Sequence, residues 1–469
     1  MFQPINRRQL LKASASGLAL TTLAGVAPGQ LFAGGAPAVA AGPRKLDFRQ
    51  RAKRIIWLFP HGGPSSIDTF DYKPALARDD GKPFPGEKPR VQFAQTGNLL
   101  KSPWEFTQHG QSGAWVSSLF PQVAKHVDEL CFIKSVYGTN VAHGGALLGM
   151  HTGSDTFVRP SLGSWLYYAL GSENRNLPGF ITICPTLGHG GVNNWASAFL
   201  PGVFQGTPIG NASIPCAEAT INHLANRSWS GEMQRAELDF LKELDGQHLA
   251  ARKVDDAMAS RSESYDLAYR MEKDAPALMD LSKESKETLE LYGINDKTTE
   301  NFGRQCLMAR RFAESGVRFT QCSHSYKWDQ HSNLKGGHES NAAQVDKPIA
   351  GLLTDLKARG LLDDTLVLWA AEFGRTPTAE GKDGRDHNPY GFTVWMAGGG
   401  VKPGFSYGAT DDWGYYATED KVHYHDLHAT ILALFGLDHE KLTYRYGGRD
   451  FRLTDVAGTI VKAVFKDKA

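Results

Sequence analysis

Six short apolar runs, each abutting polar, glycine-rich sequence, constrain this chain more than any other feature. Residues 54–59 (RIIWLF) lead into PHGGPSSIDTFD, residues 130–136 (LCFIKSV) into YGTNVAHGG, and residues 179–183 (GFITI) into CPTLGHGGVNN. Residues 317–323 (VRFTQCS) lead into HSYKWDQHSNLKGGHESN, residues 365–371 (TLVLWAA) into EFGRTP, and residues 391–400 (GFTVWMAGGG) follow GKDGRDHNP. Apolar runs this short, bounded by turn formers, read as strands buried on both faces. Residues 342–360 instead place Val345, Ile349, Leu352, Leu353 and Leu356 on one helical face and stop at Gly360. Helix followed by strand predicts a doubly wound α/β architecture with mostly parallel pairing, in which ligands collect at the carboxyl ends of the strands.

The remainder of the chain bounds the function. Residues 1–40 read as a twin-arginine signal peptide: NRRQLLK precedes a small-residue apolar stretch, and Ala38-Val39-Ala40 fits a cleavage site before Ala41. The mature chain, 41–469, is therefore expected to be exported and periplasmic or secreted, with no membrane span. Net charge is +1, from 51 basic and 50 acidic residues, so no basic surface points to nucleic acid. The five cysteines show no CxxC or metal-type spacing and suit buried positions. Residues 229–292 are charged, poor in strand formers and helically spaced, which predicts a helical insertion in an otherwise single domain.

Chemistry-bearing residues collect after the strands. Asp329 and His331 stand two apart in WDQH, Glu372 follows the run 365–371, and His387 lies in RDHN between glycines and Pro389. Asp68 and His61 follow the first strand. Carboxylates and imidazoles converging from separate strand ends point to a shared divalent-metal site, and such a mixed set suits zinc, manganese or iron better than calcium. Arg375 and Arg385 are candidates either for an anionic substrate or for internal ion pairs.

The blocks HGGPSSIDTFDYKP, WDQH, LLDDTLVLWAAEFGRTP, GRDHNPYGFTVWMAGGGVKPG and HDLHATILALFGL resemble the exported bacterial family catalogued as domain of unknown function 1501. That family is similar to the sulfatase and alkaline phosphatase superfamily. The resemblance implies a three-layer α/β/α sandwich with a large, mostly parallel central sheet, one or two metals at strand ends, and sulfate or phosphate ester chemistry. By the same resemblance Asp68, Asp329, His331, Glu372 and His387 are the expected metal ligands. Glu372 stands where the superfamily usually has an aspartate followed by His or Asn, whereas Phe373 follows here. Thr139 falls at the nucleophile position, with His143 four residues on where an arginine would stand. Thr139, His143 and Arg385 are thus the expected catalytic residues, although Thr139 read alone equally suits a helix cap.

The expectation is an exported metal-dependent hydrolase of an anionic ester, sulfated carbohydrate being one option for the substrate. The alternative is a metal-binding, non-catalytic member of the fold that acts as a binding or envelope protein.

Overall fold

The computed structural model describes residues 44–89, 95–226, 228–251 and 256–467. The expected signal peptide and its cleavage site lie outside the described residues.

A nine-stranded sheet organises the chain. Its strands are β1 (Arg54–Phe59), β2 (Leu130–Tyr137), β3 (Phe180–Ile183), β4 (Thr207–Ile209), β5 (Phe319–Ser323), β6 (Thr365–Trp369), β7 (Phe392–Ala397), β8 (Phe405–Tyr407) and β9 (Val422–His423). The spatial order is β8-β2-β7-β6-β1-β5-β3-β4, and β9 also pairs with β2. All pairings are parallel except those of β7, which runs antiparallel to both β2 and β6. β1 sits at the centre, registered Ile55 to Phe319 on one side and Ile55 to Leu366 on the other.

Apolar residues on both faces of the strands create two cores. Ile56, Leu58, Val367 and Trp369 pack towards helices α5 (Glu300–Glu314) and α6 (Leu334–Ala358), whose Phe302, Leu307, Val345, Ile349 and Leu352 are buried with them. Ile55, Trp57, Phe59, Leu366 and Leu368 pack on the other side, with Leu147 and Met150 of α1 (His143–Thr152), Trp165 of α2 (Leu162–Leu170) and Ile431 of α7 (Tyr424–Leu434). Burial on both faces is what an uninterrupted apolar strand requires, and it yields the three-layer sandwich. Helices α3 (Gly231–Ala251) and α4 (Asp256–Met279) pair with each other beside this body. Among the described residues no helix is long and apolar enough to cross a membrane.

Two local differences from the sequence reading matter. Residues 384–388 are a strand paired with Gly374–Glu380 in an antiparallel hairpin, so His387 is held by backbone pairing and not by a free loop. α6 also starts earlier than its apolar spacing indicates, at Leu334, and so carries His338 as a buried helical residue. The last helix opens with a capping box: His423 accepts from the His425 N–H, and the Asp426 carboxylate accepts from the His423 N–H at 2.8 Å.

Inside that helix His428 is fully buried, with Nε2 donating to the Met150 carbonyl at 2.7 Å. Burial, then the neighbouring His425, pushes its pKa from 6.5 to about 3. The folded state keeps His428 neutral while the unfolded chain takes up a proton near its ordinary pKa, so stability falls as pH drops below about 6.5. Replacing His428 by Gln, which keeps a donor at the ε position, is expected to flatten the acid side of the stability profile. Urea unfolding between pH 4 and 6 should lose about 1.4 kcal/mol per pH unit of slope, one proton's worth.

Candidate metal centre

The loop after β1 sets the geometry. His61 accepts backbone N–H groups of Lys327 and Trp328 at its carbonyl, both at 3.2 Å, which draws the first loop against the WDQH loop. The approach leaves no room for a side chain at Gly62: a Cβ there would stand 2.7 Å from the Asp329 nitrogen, and its φ is +116°. Gly63, at φ +78°, abuts the ring of Phe373 in the same way.

Arg375, from the first strand of the hairpin, fastens these loops. Its Nε donates to the Gly63 carbonyl at 2.9 Å, Nη1 to the Arg385 carbonyl at 3.1 Å, and Nη2 to both the Gly62 carbonyl and Asp329 Oδ1, the latter at 2.5 Å. The guanidinium is wholly buried. Of its two sequence readings, the internal partner is the one observed.

Around Asp329 three imidazoles gather. His331 Nε2 lies 3.0 Å and His387 Nε2 3.1 Å from Asp329 Oδ1, and the two Nε2 atoms are 3.0 Å apart. Each ring is anchored through its far nitrogen, His331 Nδ1 to the Glu380 carboxylate at 2.5 Å and His387 Nδ1 to the Val141 carbonyl at 2.6 Å. Anchoring Nδ1 aims Nε2 of each ring at the shared point, the arrangement seen behind metal-ligating histidines. Two nitrogen lone pairs 3.0 Å apart repel unless a proton or a cation lies between them. A tetrahedral ion with bonds of about 2.0–2.1 Å keeps its ligand atoms about 3.3 Å apart, so this donor set fits one with little adjustment.

His143, the first residue of α1, stands on the other side of Asp329. Its Nε2 is 3.2 Å from Asp329 Oδ2, and its Nδ1 donates to Glu372 Oε1 at 2.8 Å. Glu372 Oε1 also accepts the Gly62 N–H at 2.9 Å, while Oε2 is buried without a hydrogen-bond partner. His143, Asp329 and His387 together present ligand atoms close enough to hold one ion, and so do His331, Asp386 and His387. The group formed by His61, His143 and His189 is similarly compact. There, however, His61 Nδ1 accepts the Tyr326 N–H at 3.1 Å. The neutral ring must then carry its proton on Nε2, 3.8 Å from Glu372 Oε1. His61 faces the centre as a donor.

Electrostatics follow from this packing. Burial opposes the charge on Asp329, but hydrogen bonds from His143, His331 and His387, and the Arg375 charge, hold its carboxyl far below the usual range. Burial likewise opposes the charge on Glu372, yet His61 and His143 keep its pKa down at about 2. His143 is pulled up to about 9, its burial outweighed by Asp329 and Glu372. Burial lowers His61 to about 4. His331 is raised by its hydrogen bond to Asp329, whereas His387 is lowered by burial.

The structure thus brings Asp329, His331, Glu372, His387 and His143 to one edge. It does not bring Asp68 or Arg385 there, which corrects the expected roles of both. They form a bidentate pair, Nε to Oδ2 at 2.7 Å and Nη2 to Oδ1 at 3.2 Å, with both side chains completely buried. Ser65 Oγ donates to the same Asp68 carboxylate at 2.5 Å, and Arg385 spends its other donors on the Thr376 and Leu100 carbonyls. Three of the carboxylate's roughly four lone-pair sites and four of the guanidinium's five N–H donors are thereby engaged inside the fold, which leaves little of either for an ion or a substrate. Thr139 lies just past β2 and is exposed, outside the groups that can hold an ion. His189, Glu380 and the Val141 carbonyl were not singled out from the sequence. His189 sits in the GHGG segment after β3, a position of the same kind as the others, whereas nothing near Glu380 in the sequence marks it.

Fold and site together define an α/β sandwich with an acid–histidine cluster at the carboxyl edge of its sheet, able to hold a metal ion. The chain belongs to the family described as protein of unknown function (DUF1501), whose profile matches residues 52–465. No curated protein sequence matches it. Among solved structures it is similar to Ps i-CgsB in complex with k-i-k-neocarrahexaose, at 10% identity and TM-score 0.37, covering 83% of this chain and 73% of that one. It is also similar to the lipoteichoic acid synthase LtaP from Listeria monocytogenes, at 10% identity and TM-score 0.35, covering 84% and 76%. A third is a protein of the alkaline phosphatase superfamily from Vibrio parahaemolyticus, at 9% identity and TM-score 0.35, covering 84% and 69%.

Arg375→Met should destabilise the fold by about 3–5 kcal/mol in urea unfolding, because the Asp329 charge and two loop carbonyls lose their buried partner. Asp68→Asn should also cost stability, since it breaks the pair with Arg385, while leaving metal content unchanged. A loss of bound metal in Asp68→Asn would return Asp68 to the ligand set.

Proposed function

We propose that this chain is an exported metal-dependent hydrolase of sulfate or phosphate esters. The observation that carries the reading is the convergence of Asp329 Oδ1, His331 Nε2 and His387 Nε2 within 3.0–3.1 Å, with both remote nitrogens anchored. Two nitrogens and a carboxylate oxygen favour zinc, manganese or iron over calcium. When bound, a divalent ion supplies Lewis acidity towards an ester oxygen and lowers the pKa of an attacking hydroxyl.

The residues of the chain have separable tasks. Asp329, His331 and His387 form the binding face, and Arg375 keeps Asp329 ionised and oriented. His143, held by Glu372, is positioned to donate towards charge developing on an ester oxygen. Thr139, exposed after β2, offers a hydroxyl on the same edge, and water is the other nucleophile available there. Export rests on the twin arginines and the cleavage motif of residues 1–40. The second reading, a metal-binding protein without turnover, is favoured by threonine standing at the expected nucleophile position and by Phe373 after Glu372.

Metal analysis of the purified chain is expected to give about one tightly held divalent ion, lost in His387→Ala and Asp329→Ala. Glu380→Gln, which weakens the anchor of His331, should lower metal affinity about 10–100-fold without unfolding the protein. A panel of aryl sulfates and phosphates should show turnover that disappears with the ion. Bound metal with no turnover across the panel would favour the binding protein, and absence of metal would defeat both readings.

A further inference from the structure

Two residues beside the centre hold backbone conformations that side chains rarely adopt. His189 has φ +46° and Tyr326 has φ +56°. Histidine enters this region more readily than most residues, but the bulky Tyr326 carries a strain of about 1 kcal/mol or more there. They come from different loops, after β3 and β5, and they meet: the Tyr326 hydroxyl and His189 Nε2 are 3.1 Å apart. The His189 ring then lies flat on His143, with centroids 4.8 Å apart and planes at 7°. Tyr326 stands edge-on to His61 at 4.9 Å.

The pair is not packed into the core. Tyr326 is 50% exposed, and the loop that carries His189 also exposes Leu187 at 61% and Val192 at 56%. Strain at a half-exposed tyrosine is not repaid by burial of its ring. Its half-exposed ring, beside those of His61, His143 and His189, instead forms an apolar wall next to the centre, and Leu187 and Val192 are exposed on the neighbouring loop. An ester bound with its anionic head at the metal-binding face would carry its alcohol portion out past this wall.

From this geometry we propose that Tyr326, held by His189, recognises the alcohol side of the substrate by stacking on a ring with an apolar face, either an aryl group or a pyranose. This rests on the ester-hydrolase reading and names the substrate class for it. Tyr326 is here a specificity-determining residue that takes no part in the chemical step, and His189 is a positioning residue.

The test is calorimetric binding of phenylphosphonate and methylphosphonate to the metal-loaded full chain. The two probes share an anionic head and differ in the ring. The wild type is expected to favour phenylphosphonate about tenfold, Tyr326→Ala to bring the two affinities together, and Tyr326→Phe to keep part of the preference, since the ring remains without its bond to His189. Metal content should be the same in all three, because the Tyr326 hydroxyl bonds His189 and none of Asp329, His331 and His387. Equal binding of both probes by the wild type overturns the inference and leaves the ester reading standing. So does a preference that survives in Tyr326→Ala or vanishes in Tyr326→Phe. Binding of neither probe by protein that holds its metal overturns the ester reading and the inference with it. A stronger gain from a pyranosyl phosphonate than from the phenyl compound would assign the ring as a sugar.

Discussion

The buried guanidinium of Arg375 is the interaction on which the rest of the edge depends. One planar group reaches the Gly62 and Gly63 carbonyls of the loop after β1, the Arg385 carbonyl of the hairpin partner and the Asp329 carboxylate after β5. Lysine could not do this, since a point charge lacks the fixed fork that serves several acceptors in a plane. A buried cation needs a compensating charge, and Asp329 supplies it. Asp329 is therefore ionised and oriented before any ligand arrives. The electrostatics of the centre follow from that: His143 and His331 are raised by the same carboxylate, while His387, more deeply buried, is lowered.

A second buried pair, Asp68 with Arg385, does for the hairpin what Arg375 does for the loops. It ties the turn after the first loop to the strand that carries His387, and the register shift between Arg385 and His387 allows both to be placed. Without that irregularity, strict alternation would put Arg385 and His387 on the same face. The two arginines thus stabilise a framework in which Glu372 Oε2 is buried without a hydrogen-bond partner and two imidazole nitrogens face each other across Asp329.

The architecture was largely legible in the sequence. Uninterrupted apolar runs such as RIIWLF have no polar face, and only a sheet covered on both sides accommodates them. The runs 130–136, 179–183, 317–323, 365–371 and 391–400 each yielded a strand of the central sheet, though β7 reversed direction and three short edge strands carried no signal strong enough to read. The gathering of Asp329, His331, Glu372 and His387 was legible for the same reason, because residues after strands of a parallel sheet share an edge. Glu380 was not, since a glutamate in a polar hairpin looks like any solvated acid until its partner is known.

What the sequence by itself determined is the layered fold and the short set of acids and histidines at the strand ends, because hydrophobic pattern and strand polarity are local properties. Only the tertiary structure decided how those groups divide. Asp68 and Arg385 stand in the same kind of position as Asp329 and His387 along the chain. Yet the first two neutralise each other in the interior, and the second two face a shared point. Which charges pair off and which are left facing one another depends on three-dimensional proximity across 317 residues of chain in the first case. No spacing along the sequence encodes that choice.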